Sequence, residues 1–357
     1  MKFPEHATVA QVDLFDEIVD VRSPAEYAED HIPGAISAPV LSDAERAEVG
    51  TLHKQASPFD AKKRGAALVA RNIAEHLQTR FADRDRGWRP IVYCWRGGKR
   101  SGAMTHILRE VGWQAAQLEG GYKAYRREVL TQLETLPRTL HYRVLCGETG
   151  SAKSRLLEAL DARGAQVLDL EKLAAHRGSV LGGLPDAPQP SQKRFETRVW
   201  DALRRFDTDV PVFVESESKK IGQLQVPEAL ILAMRGSPCV RIEADVPARV
   251  AFLLEDYGHF LSDPATLKAQ LDCLVGLYGS ETIEAWKTLA DRGEFGELVG
   301  ALLVQHYDPA YRKSMDRNYV GLDAAPVVRP PDLTRESIAR AAAEISALAQ
   351  IETATAV

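Results

Sequence analysis

PIVYCWRGGKRSG, residues 90–102, reads as a short β-branched strand that ends on Cys94, turns through two glycines and three cations, and enters an apolar-periodic helix. A strand passing into a helix through a tight turn is the unit of an α/β sheet, and the unit recurs on both sides of this one. Upstream, EIVDV (17–21) and AISAPV (35–40) are strand-like, with helical patterns over 24–30, 42–53 and 60–82. Downstream, a helix over 102–111 leads to a strand at 115–118, to Gly120-Gly121 and to a helix over 122–134. A second register opens at HYRVLC (141–146) and continues with a helix over 153–163 and strands at 165–169, 210–215 and 239–243. Helical periodicity then dominates 246–313. The pattern predicts two α/β domains, 1–135 and 141–320, linked through ETLPRTL (134–140), with a C-terminal helix and tail over 321–357. The glycine- and proline-rich stretch 178–192 is expected to be an exposed loop.

Composition narrows the classes. The 357 residues exceed one ordinary domain, and 45% hydrophobic with 27% charged residues fits a folded globular chain rather than a disordered one or a fibre. Glu5 and Asp13 interrupt the start where a signal peptide needs an apolar core, and no later stretch is long and apolar enough to span a bilayer. Cysteines at 94, 146, 239 and 273 are too scattered for a disulfide framework, so free thiols in a reducing cytoplasm are expected. With 45 Lys and Arg against 50 Asp and Glu, the net charge of −5 excludes a surface coated in positive charge. A nucleic-acid footprint has to be local.

Cys94 is placed at a strand end beneath a helix N-terminus, among Arg96, Gly97, Gly98, Lys99 and Arg100. Turn amides, the helix dipole and the cations all favour thiolate over thiol. Two chemistries use such a loop. Cys94 to Arg100 spells C-x5-R, which suits a cysteine phosphatase; the other use is a sulfur or selenium carrier. Upstream, DVRSPAEYAEDHIPGAISAPV (20–40), together with GGYKAYR (120–126), resembles the rhodanese family in spacing and order, and rhodaneses carry sulfur or selenium on that cysteine. Asp20, Arg22 and His31 are expected to be buried scaffold.

GETGSAKS (147–154), between a strand and a helix, matches the phosphate loop G-x-x-x-x-G-K-[ST] except that Ala152 replaces the second glycine. Gly147 and Gly150 bring backbone amides close to phosphate, Lys153 supplies a point charge, and Ser154 is a candidate magnesium ligand. Glu215 and Glu217, at the end of the 210–215 strand, are candidates to orient magnesium or water. Cys146 is expected to be core.

A rhodanese-like domain followed by a phosphate-loop domain resembles the tRNA 2-selenouridine synthase family. ERAEVGTLHKQ (45–55), YCWRGGKRSG (93–102), LEGGYKAYR (118–126), VLDLEKLAAHRGSVLG (167–182), FVESESKKIG (213–222) and YDPAYRKSM (307–315) also look like that family. The resemblance implies a tRNA substrate, recognised at the anticodon arm, whose wobble 2-thiouridine becomes 2-selenouridine. It implies two steps, S-alkylation by geranyl diphosphate and then selenium delivery from selenophosphate. On that reading the phosphate loop holds the diphosphate, possible magnesium assists it, Cys94 takes selenium as a Cys–Se adduct, and Lys99 and Arg100 stabilise the anions. Among basic clusters, His176-Arg177 and Lys219-Lys220 are the leading candidates to touch tRNA. Trp95 and Tyr122 either stack on the base or pack. The competing classes are the C-x5-R cysteine phosphatase and a nucleotide-binding adaptor.

Overall fold

Parallel pairing needs crossover connections, which the helices between strands supply, and both five-stranded sheets of the described residues are parallel throughout. The computed structural model describes residues 4–179, 182–183, 187–258 and 264–355. The chain gathers into two units, Met1–Gln132 with Ser191–Asp201, and Leu133–Pro190 with Ala202–Val357.

In the first unit the strands are β1 (His6–Ala7), β2 (Glu17–Asp20), β3 (Ile36–Ser37), β4 (Pro90–Tyr93) and β5 (Ala116–Leu118), in the order β1-β5-β4-β2-β3. The helices are α1 (Pro24–Glu29), α2 (Asp43–Gln55), α3 (Pro58–Gln78), α4 (Lys99–Val111) and α5 (Gly121–Thr135). Capping sets their starts: Ser23 with Glu26 and Ser42 with Glu45 form capping boxes, and Pro24 and Pro58 occupy first turns. All four residues of β4 are buried, as a central strand covered on both faces demands.

The second unit holds β6 (Tyr142–Cys146), α6 (Lys153–Asp161), β7 (Gln166–Leu168) and α7 (Leu170–Ala174). The chain then supplies α8 (Gln192–Leu203), whose residues to Asp201 belong to the first unit. It returns as β8 (Val212–Glu215), the hairpin β9 (Lys220–Ile221) and β10 (Leu224–Gln225), α9 (Glu228–Arg235) and β11 (Cys239–Ile242). There follow α10 (Val246–Asp256), α11 (Pro264–Leu271), α12 (Val275–Asp291), α13 (Phe295–Leu302) and α14 (Asp308–Asn318), then β12 (Val327–Val328) and α15 (Arg335–Thr355). The sheet order β12-β11-β6-β8-β7 makes β6 central, so the loop that follows it opens at the middle of the sheet's C-terminal edge. Leu156, Leu157 and Leu160 of α6 share a core with Ile338, Ala342 and Ile345 of α15.

The structure departs from the sequence reading at three places, and a fourth expectation is tested only in part. ETLPRTL is no loose linker: α5 runs to Thr135 and a 3-10 turn, Leu136–Thr139, continues it, with Pro137 in the first turn where its missing N–H costs nothing. The segment from 321 is not set apart, because β12 pairs with β11 and α15 covers α6. Part of the expected loop 178–192 (180–181 and 184–186) lies outside the described residues. Finally, α8 joins the first unit through a buried carboxylate. Thr197 and Tyr122 hydroxyls donate to Asp30 Oδ2 at 2.9 and 2.8 Å, Arg194 donates to His31 O at 3.0 Å, and Arg126 pairs with Glu196. Burial pushes the Asp30 carboxyl up despite these donors.

Asp20 and Arg22 are the buried scaffold expected of them. Arg22 forks onto Asp20, with Nη2 at 2.6 Å from Oδ2, donates to Asp30 O at 2.6 Å and lies 4.0 Å from the Tyr122 ring centroid. His31 stacks on Tyr27, with its Nδ1 2.8 Å from Tyr27 O. Asp20→Ala strands a buried guanidinium and is expected to cost about 3–5 kcal/mol in urea unfolding, whereas the Asp20→Ala/Arg22→Met pair recovers most of that loss.

Candidate functional site

Cys94 follows the C-terminal end of β4 and is buried with its sulfur inside the turn. Gly98 N–H donates to Sγ at 3.2 Å and the Ser101 hydroxyl at 3.1 Å. Burial opposes the thiolate, but the Ser101 hydroxyl and the amides of Ser101, Gly98 and Arg96 outweigh it and hold the thiol below its ordinary range. Of the influences named in the sequence, the turn amides act on the sulfur, joined by the Ser101 hydroxyl. Arg100 is turned aside and pairs with Glu26 at 2.9 Å, while Arg96 and Lys99 are exposed and without an ion-pair partner among the described residues. The loop is closed by α5: Tyr122 N–H donates to Cys94 O at 2.9 Å, and a Cβ on Gly121 would fall 2.2 Å from that same oxygen. Trp95 and Tyr122 stack on each other at 5.3 Å.

The phosphate loop follows β6 in the second unit. Lys153 Nζ donates to Gly147 O at 2.6 Å, Gly147 N–H to the Tyr311 hydroxyl at 2.7 Å, and Ser154 Oγ to Glu171 Oε2 at 3.0 Å. Ala152, the departure from the motif, caps α6 in the left-handed region at φ 58° and ψ 32°, where an L-residue costs roughly 1–2 kcal/mol. Its methyl lies in the same core as Leu156, and burial of that group, about 0.8 kcal/mol, offsets part of the cost. Arg249, 1% exposed, fixes the loop from α10. It donates to Thr149 O at 2.8 Å and pairs with Glu148 at 2.6 Å and with Asp308 at 2.5 Å.

The loop opens into a cleft of about 650 Å³ bordered by Lys153, Ser154, Glu171, Glu217 and Tyr311. Beside it lies an apolar slot of about 60 Å³ among Leu253, Leu267, Phe295, Leu298 and Leu302, and Thr149, Ser179, Tyr257 and Tyr307 border both. The cleft wall is acidic. Burial, with neighbouring carboxylates, pushes Asp169, Glu171 and Glu215 up and raises Glu217 to about 8. Glu215 accepts from Glu171 N–H at 2.9 Å through Oε1, while its buried Oε2 has no partner.

The chain matches the tRNA 2-selenouridine synthase AAA domain over residues 140–272 and the rhodanese-like domain over 7–128. It is 34% identical over 350 residues to a tRNA 2-selenouridine synthase of Bdellovibrio bacteriovorus, covering 85% of this chain and 90% of that protein. The chain belongs to the tRNA 2-selenouridine synthase family. The synthase of Alcanivorax borkumensis is 37% identical over 332 residues, 84% of this chain and 90% of that one. That of Nitrosomonas europaea is 35% identical over 244 residues, 67% of this chain and 63% of that one. The first unit is thus a rhodanese-like α/β domain and the second a phosphate-loop α/β domain with a helical C-terminal part.

Within each unit the structure sorts the residues singled out in the sequence. Cys94, Arg96, Gly97, Gly98 and Lys99 form one loop, from which Arg100 is diverted. Gly150, Lys153, Ser154, Glu215 and Glu217 border one cleft, and Gly147 lies at the root of its loop. His176 and Arg177, expected as tRNA contacts, have partners within their own unit. His176 is 9% exposed, lowered in basicity by burial, and accepts from Gly178 N–H at 3.1 Å, while Arg177 pairs with Asp256 at 2.7 Å and lies over Tyr257. Lys219 and Lys220 are exposed and without an ion-pair partner among the described residues. Ser101, Gln117, Glu171, Arg249 and Tyr311 went unread as site residues. DLEKLAAHRGS and YDPAYRKSM mark Glu171 and Tyr311, but their contacts lie 17 and 164 residues away along the chain. No described helix is long and apolar enough to cross a membrane.

A carboxyl held at about 8 when folded, against an ordinary 4.5, binds a proton that the unfolded chain releases. The unfolded chain binds fewer protons between those values, so stability falls as pH rises across that window. Thermal unfolding of the wild type is expected to show that slope, and Glu217→Gln to flatten it.

Proposed function

We propose that this chain converts wobble 2-thiouridine in tRNA to 2-selenouridine by S-geranylation with geranyl diphosphate followed by selenium delivery from selenophosphate. The observation that carries the reading is the apolar slot joined to the phosphate-loop cleft, because one ligand that suits both ends is a diphosphate with a hydrocarbon tail. Each buried methylene contributes about 0.8 kcal/mol, and the loop amides with Lys153 take the charged end. The slot is smaller than the ~150 Å³ cavity that accepts benzene. It holds the first carbons of a ten-carbon tail only after Leu253 and Leu298 part, and the remainder lies along the cleft.

In the first step the thiocarbonyl sulfur attacks the prenyl carbon, the carbon–oxygen bond breaks, and diphosphate leaves with its charge matched by Lys153 and the loop amides. Magnesium suits the hard oxygens of Ser154 and Glu171, which would hold it beside the diphosphate and let it neutralise charge there. No group of three or more His, Cys, Asp or Glu converges for a metal among the described residues, which agrees with an ion that takes one or two protein ligands and the rest from phosphate and water.

In the second step selenium replaces the alkylated sulfur at the ring carbon. Geranyl thiol leaves, and the phosphorus–selenium bond of the donor gives way to phosphorus–oxygen from water, so selenium stays at the selenide level throughout. Cys94 attacks the donor's phosphorus and frees the selenide, water then cleaves the phosphorus–sulfur bond so that no sulfur–selenium bond forms, and the unpaired Arg96 and Lys99 receive the anionic donor. The exposed Lys219 and Lys220 serve tRNA phosphates. The diversion of Arg100 to Glu26 weighs against the phosphatase reading, which needs that guanidinium on the phosphate. The adaptor reading leaves the hydrogen-bonded Cys94 thiol without a use.

Lys153→Ala is expected to abolish S-geranyl-2-thiouridine. Cys94→Ser is expected to accumulate that intermediate while making no 2-selenouridine. Both are read by digesting thiolated tRNA after incubation with geranyl diphosphate and selenophosphate, and weighing the nucleosides. Geranylation by Lys153→Ala at the wild-type rate removes the diphosphate assignment, and normal selenation by Cys94→Ser removes the role of the thiol.

A further inference from the structure

The proton of the Ser101 hydroxyl has two places to go. Oγ lies 3.1 Å from Cys94 Sγ and 3.2 Å from Gly98 O, and both atoms accept. What else reaches Gly98 O decides between them. Gly102 N–H donates to that oxygen at 2.9 Å, and the side-chain amide of Gln117, on β5, donates to it at 2.9 Å, which fills its two lone pairs. The same Gln117 Nε2 donates to Ser101 Oγ at 2.8 Å, occupying the hydroxyl as an acceptor. Turning the amide over would set its oxygen against Gly98 O, two acceptors face to face, so the orientation is determined by the carbonyl. With Gly98 O saturated and Oγ already accepting, the hydroxyl proton is left to the sulfur.

We propose that Gln117 is a positioning residue for Cys94: its amide directs the Ser101 hydroxyl onto the sulfur and so holds the nucleophile as a thiolate. Gln117 is 8% exposed, and its backbone is locked between β1 and β4, with His6 and Val92 as its register partners, so the amide has little freedom to turn elsewhere. The arrangement frees the cations of the loop. A sulfur held by Gly98 N–H and Ser101 does not need Arg96 or Lys99, which stay available for an anionic donor. The inference rests on Cys94 as the nucleophile of the second step, and its test does not require that step to run.

The charged and titratable groups on the elements around the loop are Arg96, Lys99 and the Arg100–Glu26 pair, the Asp20–Arg22 pair of β2, Tyr93 of β4, Lys123 with the Tyr122–Asp30 pair at α5, and His31. Burial lowers His31 from an ordinary 6.5, so a change in the alkylation midpoint above that range reports on the sulfur. The readout is the rate of iodoacetamide alkylation at Cys94, located by peptide mass, against pH in full-length protein. Cys273 is exposed, so the series is made in a Cys273→Ser background; Cys146 and Cys239 are buried.

Gln117→Leu and Gln117→Met are expected to move the midpoint upward by about one pH unit, slowing alkylation below the midpoint about tenfold. Ser101→Ala is expected to do the same and Ser101→Thr to retain the wild-type profile. Because the glutamine acts through the serine, Ser101→Ala/Gln117→Leu is expected to match Ser101→Ala alone. A wild-type midpoint in both glutamine variants, or a double variant in which the two shifts add, overturns the proposal. A shifted midpoint together with normal selenation by Cys94→Ser keeps the positioning role and removes only the role of the thiol in the second step.

Discussion

Backbone N–H groups left unpaired where a parallel strand turns into a helix are the resource on which both sites of this chain depend. A helix leaves its first N–H groups without carbonyl partners, and a parallel sheet places such helix starts along one edge. In the first unit the Gly98 amide, at the start of α4, is turned onto the Cys94 sulfur. In the second, the Gly147 amide, at the head of the loop entering α6, is held by the Tyr311 hydroxyl. Neither turn tolerates bulk: the Gly121 position is closed by Cys94 O, and the Gly147 position by Ile242 O at 2.9 Å from any added Cβ.

Charge is then distributed so that these amides are not neutralised prematurely. Arg100, beside the first turn, and Arg249, which reaches the second from α10, are both paired, with Glu26 in one unit and with Glu148 and Asp308 in the other. Their work is to hold loops in shape. The cations left open are Arg96 and Lys99 in the first unit and, more loosely held on a carbonyl, Lys153 in the second. The acidic wall of the second cleft follows the same logic in reverse. Carboxylates that crowd each other away from water favour their protonated form.

The legible part of this protein was its local part. Strand and helix limits came within a few residues, because alternation, helical periodicity and capping residues such as Ser42 and Glu45 act over three to seven positions. The phosphate loop was readable for the same reason, and so was the thiolate-favouring turn at Cys94. β1 and β12 were not, since two-residue strands have too few side chains to show a period and exist only through pairing with β5 and β11.

By itself the sequence determined most of the strands and helices, that the chain holds two α/β units, and that Cys94 and Lys153 stand in turns between a strand and a helix. Those follow from short-range sterics and burial, which a single chain segment expresses on its own. Only the tertiary structure decided that α8 packs with the first unit through Asp30, and that Arg177 pairs with Asp256. It also decided that the sulfur is held by a serine under a glutamine from another strand rather than by the neighbouring arginines and lysine. Each of those outcomes turns on which donor reaches an acceptor first in a packed interior, and such competition is settled by residues 7 to 167 positions apart whose meeting no local pattern records.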